Sequence, residues 1–187
     1  MCIRDRLLNS QVDRCNEILK RLTLNPVEED QFIDKDINIR DYLHEIISSF
    51  KEISKKEFVF NFDQDSNPKK ISKSIEIVYG LRNFIGNANK FAKNSIFINL
   101  KSDSEFTEIT VEDDGNGYPR DIISKIGEPY LKSNSSKDKS KEGLGLGLFI
   151  GKTLLEKNFA SVNCRNSKTR NGAEVFIRWK NKELFNI

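Results

Sequence analysis

The chain has 187 residues, and its 31 basic and 28 acidic side chains leave a net charge of only +3 at neutral pH. That balance excludes a global field for nucleic acid or anionic lipid, and no apolar run reaches the ~18 residues needed to span a bilayer. Three cysteines without C-x-x-C spacing and a single histidine remove most zinc sites, so the composition fits one soluble domain plus an appendage in a reducing compartment.

Leu8, Val12, Cys15, Leu19 and Leu22 recur at alternating spacings of 4 and 3, the seam of a two-helix contact, until Asn25 and Pro26 stop the pattern. A polar connector, VEEDQFIDKD, follows. INIR reads as a short strand, and RDYLHEIISSFKEIS puts Leu43, Ile46, Ile47, Phe50 and Ile53 on one helical face. FVFNF alternates, with Phe58, Phe60 and Phe62 on one side of a half-buried strand.

The longest helix is expected from about Ser72 to Ala92, burying Ile71, Ile75, Val78, Leu81, Ile85, Ala88 and Ala92. Asn83, Asn87, Lys90 and Asn94 form a second stripe on the opposite face, and asparagine is a poor helix former. SIFINLK and EFTEITVED then read as strands joined by a connection of hairpin length. After DGNGYP come a short helix, a Ser/Lys-rich stretch, a helix from Leu144 to about Lys157, and a closing pair of strands, ASVNCRN and GAEVFIRWK. Interspersed strands, helices and hairpins predict an α/β fold, a mixed sheet with helices packed on one face.

Three segments bear on chemistry. GLGLGLF, residues 143–149, crosses a loop into a helix whose free N–H groups and dipole favour an anion, so Gly143, Gly145 and Gly147 suit a phosphate cradle. Taken alone it reads equally well as a flexible loop, and no Gly-Lys-Ser/Thr makes it a Walker A loop. VEDDGNG holds Asp113 at a strand end beside Gly115 and Gly117, where an ionised carboxylate can accept from the exocyclic amine of adenine; an acidic turn is the bland alternative. In NFIGNANKF, Asn87 offers a neutral oxygen to magnesium. Asn83 lies one turn back for the metal or its water, and Lys90 one turn on for a phosphate; a polar outer face is the competing reading.

In this order and spacing the segments resemble the ATP-binding domain of the GHKL superfamily, and within it that of sensor histidine kinases. NFIGNANKF looks like the asparagine box, VEDDGNG the first glycine box, IGEPYLKS the short aromatic box, GLGLGLF the second glycine box and NGAEVFI the closing glycine-strand element. The likeness covers about residues 36 to 180. It implies a two-layer α/β sandwich (the Bergerat ATP-binding fold) that binds ATP and Mg2+ under a lid spanning about Asn116 to Glu142. By the resemblance Asn87 is the magnesium ligand, Asn83 its helper and Lys90 a phosphate contact. Asp113 anchors adenine while Gly115 and Gly117 let the ring lie close. Lys132, Gly143, Leu144, Gly145, Leu146 and Gly147 belong to the phosphate and lid region. Phosphoryl transfer needs chiefly positioning and charge neutralisation.

LLNSQVDRCNEILKRLT is similar to the second hairpin helix of RegB/PrrB-type redox-responsive kinases. The implied organisation is a partial dimerisation and phosphoacceptor hairpin over residues 1–25, a linker over 26–35 and the catalytic domain over 36–187. Cys15 on the seam becomes a candidate redox residue, though a free cysteine is also an ordinary core residue. Cys164 reads as core. His44, followed by Glu45, lacks the Pro expected after a phosphoacceptor and lies after the second hairpin helix, so the phosphoacceptor is expected upstream. The resemblance further implies a homodimer through the hairpin, a cognate response regulator, no nucleic-acid partner, and a cytoplasmic domain joined to the bacterial inner membrane only through an upstream region. A serine/threonine kinase of the anti-sigma-factor type and a non-catalytic module retaining the fold are the alternatives.

Overall fold

A computed structural model of the chain describes residues 37–63, 70–71, 74–129 and 146–184. The chain divides into two units, Met1–Lys35 and Asp36–Ile187, and every described residue belongs to the second. The expectations for the leading helix, Cys15, Lys132, Gly143, Leu144, Gly145 and most of the lid lie outside the described residues.

The elements, in chain order, are β1 (Ile37–Asn38), α1 (Ile39–Lys51), β2 (Glu57–Phe62), β3 (Lys70–Ile71), α2 (Ile75–Phe91), β4 (Ser95–Ser102), β5 (Phe106–Asp113), α3 (Arg120–Ile123), α4 (Gly147–Lys157), β6 (Ser161–Asn166), β7 (Ala173–Lys180) and α5 (Asn181–Leu184). Five strands form one mixed sheet in the order β2-β4-β5-β7-β6, with β2 parallel to β4 and the other pairs antiparallel. β1 and β3 pair separately, antiparallel.

Both long helices start where a side chain can satisfy a free amide. The Asn38 side chain accepts from the Arg40 amide at 2.9 Å, so α1 begins at Ile39 and the expected strand INIR shrinks to two residues. Ser74 caps α2 by accepting from the Ile77 amide, and its hydroxyl also meets Asn158 Oδ1 at 3.1 Å. At its far end, Lys56 donates to the carbonyls of Asn89 and, at 2.7 Å, Ala92. Within the β4–β5 hairpin, Asp103 Oδ1 accepts from the amides of Glu105 and Phe106, both at 2.7 Å, which sets the tight connection.

The core lies between one sheet face and the helices. Ile96, Ile98 and Leu100 of β4, Ile109 and Val111 of β5, and Val175, Ile177 and Trp179 of β7 meet Leu43, Ile46 and Ile47 of α1, Leu81, Phe84 and Ile85 of α2, and Leu155 of α4. The period-2 alternation read from the sequence holds in β4 and β5. On the opposite face Arg178 pairs with Glu108 at 3.1 Å, Arg165 with Glu174, and the Arg170 guanidinium lies over the Phe97 ring at 3.4 Å. Among the described residues this face is dressed with charged side chains.

Two readings need correction. Ile53 is 79% exposed, because α1 ends at Lys51 and the next residues turn away before the helical rotation brings Ile53 inward. Asn94 is not on the asparagine stripe: α2 ends at Phe91, and Asn94 sits in the exposed turn to β4, its amide donating to Asp114 Oδ1 at 3.0 Å. Among the described residues, no helix is long and apolar enough to cross a membrane.

Candidate functional site

Asp113 is the last residue of β5, the central strand of the sheet, only 2% exposed, and it sits near the end of α2. Its Oδ1 accepts from the Gly115 amide at 2.8 Å and from the Ala173 amide at 3.2 Å. Burial pushes its carboxyl above the usual carboxylate range, while those two amides pull it down, Asp114 pushes it up and Lys56 pulls it down. Space here is scarce. A Cβ on Gly172 would lie 1.8 Å from the Asp113 carbonyl oxygen, and one on Gly115 would lie 2.5 Å from the Phe91 carbonyl oxygen. Only glycine fits at either position.

Asp114, next in the chain, turns the other way. It accepts from the amides of Lys93 at 2.7 Å and Asn94 at 3.0 Å, tying the α2–β4 turn to the end of β5. Burial pushes its carboxyl up, but the amides of Asn94, Ser95 and Lys93 outweigh that and hold it below the usual range. The DD dipeptide is thus divided, Asp113 facing inward and Asp114 serving the backbone.

Further back on α2, Asn83 donates from Nδ2 to the Tyr79 carbonyl at 2.8 Å. Its Oδ1 lies 3.6 Å from where a Cβ on Gly147 would stand, so the start of α4 rests against this asparagine. The helices approach closely because Gly80 on α2 faces Leu155 and the Gly151 carbonyl on α4. α4 opens on Leu146 with no side-chain cap and no acidic residue in its first turn. Among the described residues no side chain caps its leading N–H groups, and with the positive dipole end they favour an anionic acceptor. Asn87 follows Asn83 one turn on and is half-buried, and the Lys90 ammonium lies 5.3 Å from the Phe91 ring.

α2 is the ruler that joins these features. From Asn83, beside the opening of α4, to Phe91, beside Gly115 and Asp113, the helix advances about 12 Å at roughly 1.5 Å per residue. Such a strip can meet a ligand with a flat polar ring at one end and anionic groups at the other. Asn83 and Gly147 are brought together, as are Asp113 and Gly115. Gly117 follows with φ of 71°, its Cβ position filled by the Asn166 amide oxygen. Leu146, 8% exposed, packs inward at the helix start rather than lining an open surface. A separate open groove of about 600 Å³ on the other sheet face, lined by Asn61, Asn99, Thr110, Glu112 and Glu174 among others, contains none of these residues.

Sequence reasoning missed four contributors. Phe91, 45% exposed at the end of α2, brings its backbone carbonyl against Gly115, and its place as the final residue of NFIGNANKF was the available signal. Lys56, the Ala173 amide and Asn166 act from distant parts of the chain, and no local pattern marks them. His44 is exposed on α1, its ring edge-on to Phe60 with centroids 4.8 Å apart. Among the described residues no group of three or more His, Cys, Asp or Glu could hold a metal ion. A metal here would rely on neutral amide oxygens and on the ligand's own.

A two-layer sandwich with an uncapped helix start and a buried strand-end carboxylate is the architecture of an ATPase class, and the family model described as histidine kinase-, DNA gyrase B- and HSP90-like ATPase matches residues 72–183. The chain belongs to that family. Within it the relatives are sensor kinases: sensor histidine kinase RegB of Cereibacter sphaeroides (strain ATCC 17023) is 31% identical over 179 residues, which is 92% of this chain and 37% of the relative. The chain thus spans little more than a third of the length of the RegB relatives it matches. In solved structures the fold recurs in the mycobacterial sensor histidine kinase MprB, at a TM-score of 0.65 and 18% identity over 77% of this chain and 96% of that one. It recurs also in full-length ShkA in complex with AMPPNP, at a TM-score of 0.63 and 20% identity over 78% of this chain and 30% of that one. The resemblance to sensor histidine kinases read from the sequence boxes is borne out.

Proposed function

We propose that this chain is the ATP- and magnesium-binding catalytic portion of a two-component sensor histidine kinase, which transfers the γ-phosphoryl group of ATP to a histidine on a dimerisation hairpin. The observation that carries the reading is the alignment along α2 of two unlike subsites, the Asp113 carboxylate at one end and the uncapped start of α4 beside Asn83 at the other. ShkA, which shares the fold, was solved with an ATP analogue.

In this reading Asp113 accepts from the exocyclic amine of adenine, and the exposed ring of Phe91 stacks on the base. The amides from Gly143 to Gly147, with Leu144 and Leu146 as spacers, receive the phosphates. Lys90 and Lys132 add point charges. Asn87 holds Mg2+ with Asn83 behind it, a donor set of neutral oxygens that suits an ion arriving with phosphate oxygens and water. The ion's contribution is neutralisation of charge on the transferred group. The protein supplies position, through a helix face locked to α4 by close glycine packing, and it needs no nucleophile of its own.

In this reading residues 1–25 provide part of the dimerisation hairpin and 26–35 the linker, and a response regulator is the next partner in the relay. Cys15, on the apolar seam of the sequence, is in the same reading a candidate for tuning a dimer by oxidation. The test is a thermal shift with ATP and Mg2+ on the parent, Asn87→Ala and Asp113→Ala, followed by labelled ATP and an intact hairpin supplied in trans. A shift seen only in the parent, with label reaching histidine, supports the kinase. No shift at millimolar ATP sinks it.

A further inference from the structure

Asn166, the last residue of β6, spends both arms of its carboxamide on one residue 48 positions earlier. Its Oδ1 accepts from the Tyr118 amide at 2.6 Å, and its Nδ2 donates to the Tyr118 carbonyl at 3.1 Å. A side chain used in this way does the work of a neighbouring strand's peptide group. The segment it holds is the one that leaves Asp113. Gly117, in the left-handed region, presents its α-carbon to Asn166 Oδ1, and a Cβ there would come within 2.7 Å of that oxygen. Tyr118 is itself 8% exposed.

The same hairpin grips the other end of the segment. The Ser167 amide donates to the Gly172 carbonyl at 2.8 Å and closes the β6–β7 turn. Gly172 then packs on the Asp113 carbonyl, and the Ala173 amide reaches the Asp113 carboxylate. Residues 113 to 118 are therefore fastened to one hairpin at both ends. At the Asp113 end the hairpin contributes a backbone amide, that of Ala173, whereas at the Tyr118 end it contributes the Asn166 side chain.

We infer that Asn166 is a positioning residue for base recognition, fixing the 113–118 turn so that the Asp113 carboxylate meets the amino group of a purine nucleotide, and thereby setting the preference for an amino- over an oxo-substituted purine. The inference rests on the reading above, in which Asp113 receives the adenine amine. Asn166 does not touch the base, because both of its polar atoms are engaged on Tyr118. Its effect reaches the ligand through the geometry of the turn. A purely structural role has a different signature, lowering the affinity for every nucleotide alike.

The experiment measures dissociation constants of the whole chain for ATP and for inosine triphosphate, each with Mg2+, in the parent, Asn166→Ala and the isosteric Asn166→Asp, with folding checked by circular dichroism. The parent should prefer ATP by about tenfold or more, the worth of one hydrogen bond to a charged acceptor. In Asn166→Ala the ATP affinity should fall by about that factor, with inosine triphosphate changing less than about twofold. Asn166→Asp keeps an acceptor for the Tyr118 amide but turns an oxygen toward the Tyr118 carbonyl, so its preference should shrink as well. Folded variants that keep the parental ratio overturn the inference, even if both affinities drop together. Loss of folding in both variants assigns Asn166 to stability and overturns it too. A parent that binds both nucleotides equally removes the role of Asp113 and with it this inference, while leaving nucleotide binding intact; a parent that binds neither overturns the proposed function itself.

Discussion

The Asp113 carboxylate accepts a hydrogen bond at 3.2 Å from the amide of Ala173, 60 residues further along the chain. The contact couples the end of β5 to the start of β7, and it keeps a nearly inaccessible carboxylate oriented. Burial nevertheless favours the neutral acid, so the pKa stands above the usual carboxylate range.

A pH dependence follows from that direction. Only the ionised form is a pure acceptor, so ATP affinity should be full at neutral pH and fall as pH drops through the raised pKa, earlier than an ordinary aspartate would allow. Stability runs the other way: the share owed to Asp113 is full below its unfolded pKa and lost as pH rises through the folded value. Asp113→Asn should bind ATP about tenfold to a hundredfold more weakly at neutral pH and lose this acid-limb dependence. Calorimetric titrations at descending pH decide it, and parallel profiles for parent and variant would refute the role.

Lys56 satisfies the Asn89 and Ala92 carbonyls at the end of α2 and pulls the Asp113 pKa down. Lys56→Met removes the donor from part-buried acceptors, at a cost of about 1–3 kcal/mol in denaturant unfolding. It should also move the acid limb of nucleotide binding to higher pH. A variant as stable as the parent, with an unmoved limb, would show that Lys56 is incidental.

Gly80 sets the distance between α2 and α4. An alanine there would bring Cβ within 2.6 Å of the Leu155 side chain, so Gly80→Ala should destabilise by about 1–3 kcal/mol despite its better helix propensity. Leu155→Ala, at a fully buried position, should cost about 2–5 kcal/mol alone. In the double variant the clash disappears, and the combined loss should be smaller than the sum. Strict additivity in a double-mutant cycle would mean the two side chains do not meet.

Cys164 packs against the core with its thiol pushed up to about 11, chiefly by burial, with Lys152 and the Tyr118 hydroxyl pulling it down. Little thiolate exists near neutral pH. Alkylation at Cys164, followed by site-resolved mass spectrometry, should be about a hundredfold slower in the native chain than in the unfolded one. Equal rates would contradict the burial and reopen Cys164 as a reactive site.

Much of this domain was legible because its signals are local. Alternation at period 2 located β2, β4 and β5, the apolar stripe from Val78 to Ala88 located α2 although its start was expected near Ser72 rather than Ile75, and glycines before an apolar helix marked the opening of α4. Asp113 could be picked out at a strand end without coordinates. The failures came where local periodicity outran the element that carried it, as at Ile53 past the end of α1 and Asn94 past the end of α2.

The sequence by itself determined which segments become strands and helices and which polar residues ride on them, since backbone propensity and side-chain period act over a few neighbours. Tertiary structure alone decided that β2 lies parallel beside β4, that Lys56 closes α2, that Ala173 and Asn166 clasp the turn after Asp113, and that Asn83 faces Gly147. Those contacts join residues dozens of positions apart through shape, excluded volume and the need to pair buried polar groups, and none of these leaves a repeat in the chain.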